Sequence, residues 1–294
     1  MGGSPLDNRT VVVTGAARGI GAALAREAAA RGARIALLGH EPAALRAVAD
    51  ALPTTALPLP VDVADQAALD AAAREVRRRL GPASVVIANA GIAEGGPFAT
   101  SDPRSWHRVI DVNLVGSAQT ARAFLPDLFT TAGHYLQVAS LASIGAAPLL
   151  SAYCAAKSGV EAFAHALRAE VAHEGVSVGI AYLNWIATDM IRDLDEYALL
   201  RELRGRMPSP ARRSGPPQPA AARLIRSVER RRTAVYVPGW LRLTQPVRAA
   251  MPPLVLRLSR RELSRLQATE PWRSTGPLGA GGRADQAAAS SPEE

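Results

Sequence analysis

Short apolar runs recur along the chain, separated by longer stretches in which apolar positions return every three or four residues. The runs at 10–13, 34–38, 57–61, 84–88, 134–139, 177–183 and 234–237 predict strands. The stretches at 20–31, 43–52, 67–80, 103–116, 117–131 and 152–173 predict helices, with Gly32 ending the first. Regular alternation of strand and helix predicts an α/β fold, a doubly wound parallel sheet of about seven strands in a single domain over residues 8–240.

The pattern then changes. Residues 188–207 mix Met190, Ile191, Leu194, Tyr197, Leu199, Leu200 and Leu203 with charges. That suits a surface helix or a lid, and its place directly after a strand's C-terminal end favours a substrate lid near 188–215. Residues 206–219, rich in Pro, Arg and Ser, read as a mobile loop. Residues 241–272 form a basic amphipathic C-terminal extension, and 273–294 have the composition of a disordered tail.

Charge sharpens this division. The net charge is +8, but the excess is local: residues 201–273 hold 17 Arg against four acidic residues, and the part before them is slightly acidic. All the other cations are Arg, and Lys157 is the only lysine in the chain, which marks it as a position where a compact ammonium is needed. One cysteine, Cys154, excludes an intrachain disulfide and a Cys-based metal site; no metal is expected. The N-terminus lacks a secretory pattern and no run is long enough to span a bilayer, so a cytoplasmic protein is expected.

The first strand runs into Thr14-Gly15-Ala16-Ala17-Arg18-Gly19-Ile20-Gly21. Three glycines let the backbone approach a pyrophosphate, and the following helix turns its free N–H groups toward it. In strand–turn–helix context this points to a Rossmann-like dinucleotide site. After the second strand the chain reads Gly39-His40-Glu41, without an acid at the first position, and Arg18 adds a cation. NADP(H) is therefore favoured over NAD(H), although Glu41 can reach a ribose hydroxyl and His40 is expected neutral. Asp62, beside Val63, suits the adenine amino group, a helix N-cap or a turn.

Tyr153 and Lys157 are four apart on one helix and share a face. An adjacent ammonium and an oxidised nicotinamide both favour the phenolate, which makes Tyr153 a credible acid/base. Ser140 follows a strand and can steady a developing oxyanion. Asn113 is a polar amide among apolar neighbours, which costs stability unless it serves a purpose.

Together the turn 14–21, Asn89-Ala90-Gly91, Asn113, Ser140 and Tyr153-Cys154-Ala155-Ala156-Lys157 resemble the single-domain short-chain dehydrogenase/reductase family over about residues 8–240. The resemblance implies that Tyr153 transfers the proton, Ser140 orients the substrate and Lys157 holds the nicotinamide ribose. Asn113 would position a water leading to Lys157, and Asn89, Ala90 and Gly91 would lie near the cofactor with Gly15, Arg18, Gly19, Ile20, Gly21, His40, Asp62 and Val63. Where the family often has Pro-Gly, this chain has Leu183-Asn184-Trp185-Ile186-Ala187-Thr188. Thr188 is retained as a cofactor contact, Asn184 can adopt a left-handed backbone, and Trp185 becomes a candidate pocket wall. The resemblance also implies a homo-oligomer.

Ile92, Ala93, Ile144, Ala146, Leu149, Trp185, Met190 and Ile191 form the expected pocket wall, which favours a small apolar carbonyl or alcohol; Ser140, Trp185 and Met190 are its expected substrate contacts. A non-catalytic dinucleotide-binding redox sensor is the competing class, and the complete Ser140, Tyr153, Lys157 and Asn113 set argues against it. The basic extension lacks the motifs of nucleic-acid binding; its pattern over 241–266 suits peripheral contact with a membrane surface, cover over a lipophilic pocket entrance, or packing on its own domain or a partner subunit.

Overall fold

The computed structural model describes residues 3–269 and 273–290. Seven strands form one parallel sheet: β1 (Thr10–Thr14), β2 (Arg34–Gly39), β3 (Ala56–Pro60), β4 (Ala83–Ala88), β6 (His134–Ser140), β7 (Ser177–Leu183) and β8 (Ala234–Val237), in the order β3-β2-β1-β4-β6-β7-β8. A separate antiparallel pair joins β5 (Ala93–Glu94) to β9 (Pro277–Leu278). Pro58 and Pro60 are tolerated in β3 because it is an edge strand with one partner.

Alternation along each strand divides the core into two layers. Val11 and Val13 of β1 pack with α1 (Gly19–Ala29), α2 (Pro42–Asp50) and α10 (Pro217–Glu229). Val12 faces the other way, toward α3 (Gln66–Leu80), α5 (Gly116–Thr131) and α6 (Ser151–Val171). The doubly wound architecture is as the hydrophobic pattern predicts.

The two helices expected at 103–131 form one run. Between α4 (Pro103–Ile110) and α5, Asp111–Val115 forms a π-helical turn, the irregularity that inserts an extra residue into a helix and often marks a functional site. A buried chain of hydrogen bonds holds it. The Tyr135 hydroxyl lies 2.9 Å from Gln137 Oε1 and 3.0 Å from the Ser117 carbonyl, Gln137 Nε2 donates to Ser117 Oγ at 3.1 Å, and Ser117 Oγ donates to the Asn113 carbonyl at 2.8 Å.

The last third departs from expectation. The segment expected to be a surface helix or a lid forms α7 (Asp189–Glu196) and α8 (Ala198–Gly205), and the loop expected at 206–219 contains α9 (Ser209–Arg212) and the start of α10. The extension carries α11 (Met251–Thr269). It is tethered where Arg248 donates to buried Glu161 at 2.8 and 2.9 Å and to the Ser143 carbonyl at 3.0 Å. The tail expected to be disordered is instead ordered over 273–290, as β9 and α12 (Gly279–Ser290). Local composition predicted no structure there because the segment's partners, β5 and α7, are distant in sequence.

Tyr135→Phe would remove the one buried hydroxyl proton shared between Gln137 Oε1 and the Ser117 carbonyl. Urea unfolding is expected to show a loss of about 1–3 kcal/mol with an unchanged m-value.

Candidate active site

The sheet changes winding direction at β1 and β4, so their C-terminal ends leave a crevice between them. Thr14 ties the two ends together: its Oγ1 accepts from the backbone N–H groups of Asn89 and Ala90, each at 3.0 Å, and Asn89 Nδ2 donates to the Thr14 carbonyl at 3.0 Å. Gly15 and Gly19 have φ of +63° and +54°, which an L side chain resists. A Cβ on Gly21 would sit 2.0 Å from the Gly15 carbonyl oxygen, and one on Gly15 would sit 2.8 Å from Ala90 Cα. Helix α1 begins without a side-chain cap or an acidic residue in its first turn. Its free N–H groups and positive dipole end therefore remain available to an anion, and this cradle fits a pyrophosphate.

At the ends of β2 and β3 the charges are arranged differently from the sequence expectation. Arg18 is ion-paired with Glu41 and lies 3.3 Å from Asp189, so it is not the free cation assumed for a 2′-phosphate. His40, expected to be neutral, is pushed up to about 9 by hydrogen bonding to Asp285 and Asp62; its Nε2 lies 3.2 and 3.5 Å from their carboxylates. Asp62 caps no helix. Its Oδ1 accepts from Ala64 N at 2.8 Å and its Oδ2 accepts from Arg108 at 2.7 Å. Burial acts to raise its pKa, but the bonds from His40, the Ala64 N–H and Arg108 hold it well below the usual carboxylate range. Arg108, on α4, escaped sequence reasoning because an arginine on an amphipathic helix normally signals only a solvated face.

At the other end of the crevice, Ser140 terminates β6 and α6 presents Tyr153 and Lys157. Lys157 is 5% exposed. Its Nζ donates to the Val138 carbonyl at 3.3 Å and lies 5.5 Å from the Tyr153 ring centroid; burial lowers its pKa to about 8. Burial raises Tyr153 to about 12, with the Ser140 hydroxyl acting in the opposite direction. Ser143, absent from the predicted set, fixes the spacing: its Oγ accepts from Ser140 N at 3.3 Å and donates to the Lys157 carbonyl at 2.8 Å.

Asn113 is fully buried at the π turn. Its Nδ2 donates to the carbonyls of Ile92 and Val109, each at 2.8 Å, while its Oδ1 has no partner. That oxygen lies 2.5 Å from where a Cβ on Gly91 would be, and Lys157 Nζ lies 3.5 Å from the same point. Glycine at 91 thus leaves an unmet buried acceptor beside the ammonium, the kind of group that a water or cation satisfies.

Residues 188–191 line one wall. Thr188 precedes α7 and its Cγ2 lies 3.1 Å from where a Cβ on Gly19 would be, over the glycine turn. Asn184 is not left-handed; its Nδ2 instead donates to the Ala211 and Arg213 carbonyls at 3.0 and 3.4 Å, which sets the loop's path in place of Pro-Gly. Trp185 and Met190 pack with Leu149 and Tyr153 around Ala93, Leu194, Leu200 and Leu278. Of the predicted catalytic, cofactor and substrate contacts, all but Asp62 and Trp185 line one continuous groove, whereas of the expected pocket wall only Ile92, Met190 and Ile191 do so and Ala93, Ile144, Ala146 and Leu149 do not. Leu278 and Asp285, which also line it, come from the tail and had no local signal.

The model of the family described as short chain dehydrogenase matches residues 9–198. Meso-2,3-butanediol dehydrogenase of Serratia marcescens is 31% identical over 63% of this chain and 74% of its own. The crystal structure of a metagenomic short-chain oxidoreductase in complex with NADP is 33% identical, with a TM-score of 0.60 over 62% of this chain and 86% of that one. A putative gluconate dehydrogenase from Agrobacterium tumefaciens is 25% identical, with a TM-score of 0.70 over 80% of this chain and 96% of that one. With the glycine cradle, the winding reversal and the Ser140, Tyr153 and Lys157 cluster in place, the chain belongs to the short-chain dehydrogenase/reductase family, NAD(P)-dependent oxidoreductases acting on CH–OH and C=O groups.

Proposed function

We propose that the protein interconverts a small apolar ketone and its secondary alcohol with NADP(H), Tyr153 serving as the acid/base. The observation that carries this reading is the convergence of Ser140, Tyr153, Lys157 and Asn113 at one end of a groove whose other end is the glycine cradle. A nicotinamide held in the groove would supply or accept the hydride. Tyr153, protonated in the ligand-free protein because burial raises its pKa, holds the proton that the oxygen requires during reduction. The Ser140 hydroxyl stands beside that oxygen as charge builds on it. Lys157 would hold the ribose hydroxyls and draw the Tyr153 proton equilibrium downward, and Asn113 Oδ1 would accept from the water that refills the proton.

Apolar lining at Ile92, Met190 and Ile191 supports an apolar substrate. His40 after β2 and Arg108 on α4, which are paired with Asp62 and Asp285 in the ligand-free chain, support preference for the phosphorylated dinucleotide by lying side by side there. The complete proton-transfer set supports an enzyme over a redox sensor. A homo-oligomer is proposed on family membership alone.

A membrane-surface contact for 241–266 draws support from α11, where Leu254, Leu256 and Leu258 are exposed beside Arg257 and Arg260. Among the described residues no helix is long and apolar enough to cross a membrane, and the proposal is a helix lying in the interface.

Tyr153→Phe is expected to lower kcat for apolar ketones by about 10²–10⁴-fold while NADPH binding, followed by fluorescence titration, stays within about twofold and exceeds NADH binding; a variant with wild-type turnover refutes the role. Lys157 has a folded pKa below its unfolded value of 10.5, so between about 8 and 10.5 the unfolded chain binds more protons and stability rises with pH. Against Lys157→Met, the wild-type urea midpoint should therefore gain as pH climbs through that window. Sedimentation with phosphatidylglycerol vesicles should retain the wild type and release a Leu254→Ser, Leu258→Ser variant; equal partition removes the membrane contact.

A further inference from the structure

The C-terminal segment lies along the groove rather than beside it. Its course begins at β5, where Thr275 N donates to the Gly95 carbonyl at 2.7 Å, Gly95 N donates to Thr275 Oγ1 at 2.9 Å, and Ala93 pairs with Leu278. Tyr197 donates to the Thr275 carbonyl at 2.9 Å. Asp193 on α7 accepts from Gly279 N at 2.8 Å and pairs with Arg283. The segment is thus bonded to both walls.

Two of its side chains take places that ligands need. Leu278, 2% exposed, packs in the cluster of Tyr153, Met190, Trp185 and Leu149, and with Tyr153 and Met190 it also lines the groove next to the proton-transfer group. Asp285, also 2% exposed, accepts from Arg108 Nε at 2.8 Å and faces His40 Nε2 at 3.2 Å. His40 and Asp62 follow β2 and β3, where the adenosine half of a dinucleotide must lie. A carboxylate between Arg108 and His40 occupies the electrostatic position of a ribose phosphate. A phosphate brought there would meet both the bulk of Asp285 and its like charge.

We propose that residues 273–290 form an internal strap that blocks the groove of the ligand-free enzyme, Leu278 filling the substrate pocket and Asp285 the anion position between His40 and Arg108. The adenosine phosphate end of NADP(H) displaces it. The proposal rests on the dinucleotide reading above. Every bond that holds the strap, to Gly95, Tyr197, Asp193, Arg108 and His40, is then a competitor of cofactor binding, and the measured affinity is the intrinsic one reduced by the fraction of molecules whose strap is open.

The test uses the full chain. Hydrogen exchange of residues 274–286 is followed with and without NADPH, and NADPH affinity is measured by fluorescence for the wild type and Asp285→Ala. Exchange in 274–286 is expected to rise on adding NADPH, and Asp285→Ala is expected to bind it about tenfold more tightly. Unchanged or slower exchange, or unchanged or weaker binding by Asp285→Ala, overturns the strap and leaves the dehydrogenase reading standing. Absence of NADPH binding by both proteins overturns the two together.

Discussion

Two strand ends held side by side with nothing between them are the condition on which this site depends. A parallel sheet needs a crossover after each strand, and where the winding reverses the two neighbouring crossovers leave in opposite directions. At that point β1 and β4 lack a covering element, and their terminal backbone groups require other partners. The Thr14 hydroxyl and the Asn89 amide supply them. Because these bonds are made within the protein, the glycine turn stays open and the first N–H groups of α1 face the groove instead of a cap. The rest of the site, from Ser140 at the end of β6 to Thr188 after β7, is placed by the same sheet edge.

The elements legible in the sequence are those with local causes. Strand and helix positions follow from apolar periodicity, and the glycine turn follows from a steric need that side chains cannot meet. Tyr153 and Lys157 could be paired because helical geometry fixes a four-residue spacing. Asn113 drew notice because an amide among apolar residues demands a reason, and the π turn supplies one.

What was not legible depends on contacts between distant segments. Arg18 was read as a free cation since its partners, Glu41 and Asp189, lie 23 and 171 positions away. The charge state of His40 is set by Asp62 and Asp285, neither of them sequence neighbours. The region 273–290, dominated by Gly, Ala and polar residues, carries no periodic signal; its order comes from antiparallel pairing with β5 and from bonds to α7. Asn184 shows the converse, since its type permits a left-handed turn but its amide is committed to the Ala211 carbonyl.

The arginine-rich composition also shapes the chemistry to which the molecule is exposed. With Lys157 as the only lysine, the chain offers acylating agents a single side-chain amine, and that amine lies at the floor of the groove. Burial leaves it neutral for a larger share of the time than an ordinary lysine, and the neutral amine is the nucleophile. Acetylation, which on most proteins scatters over a solvated surface, would here have one side-chain target, and it would remove the ammonium proposed to act on the tyrosine.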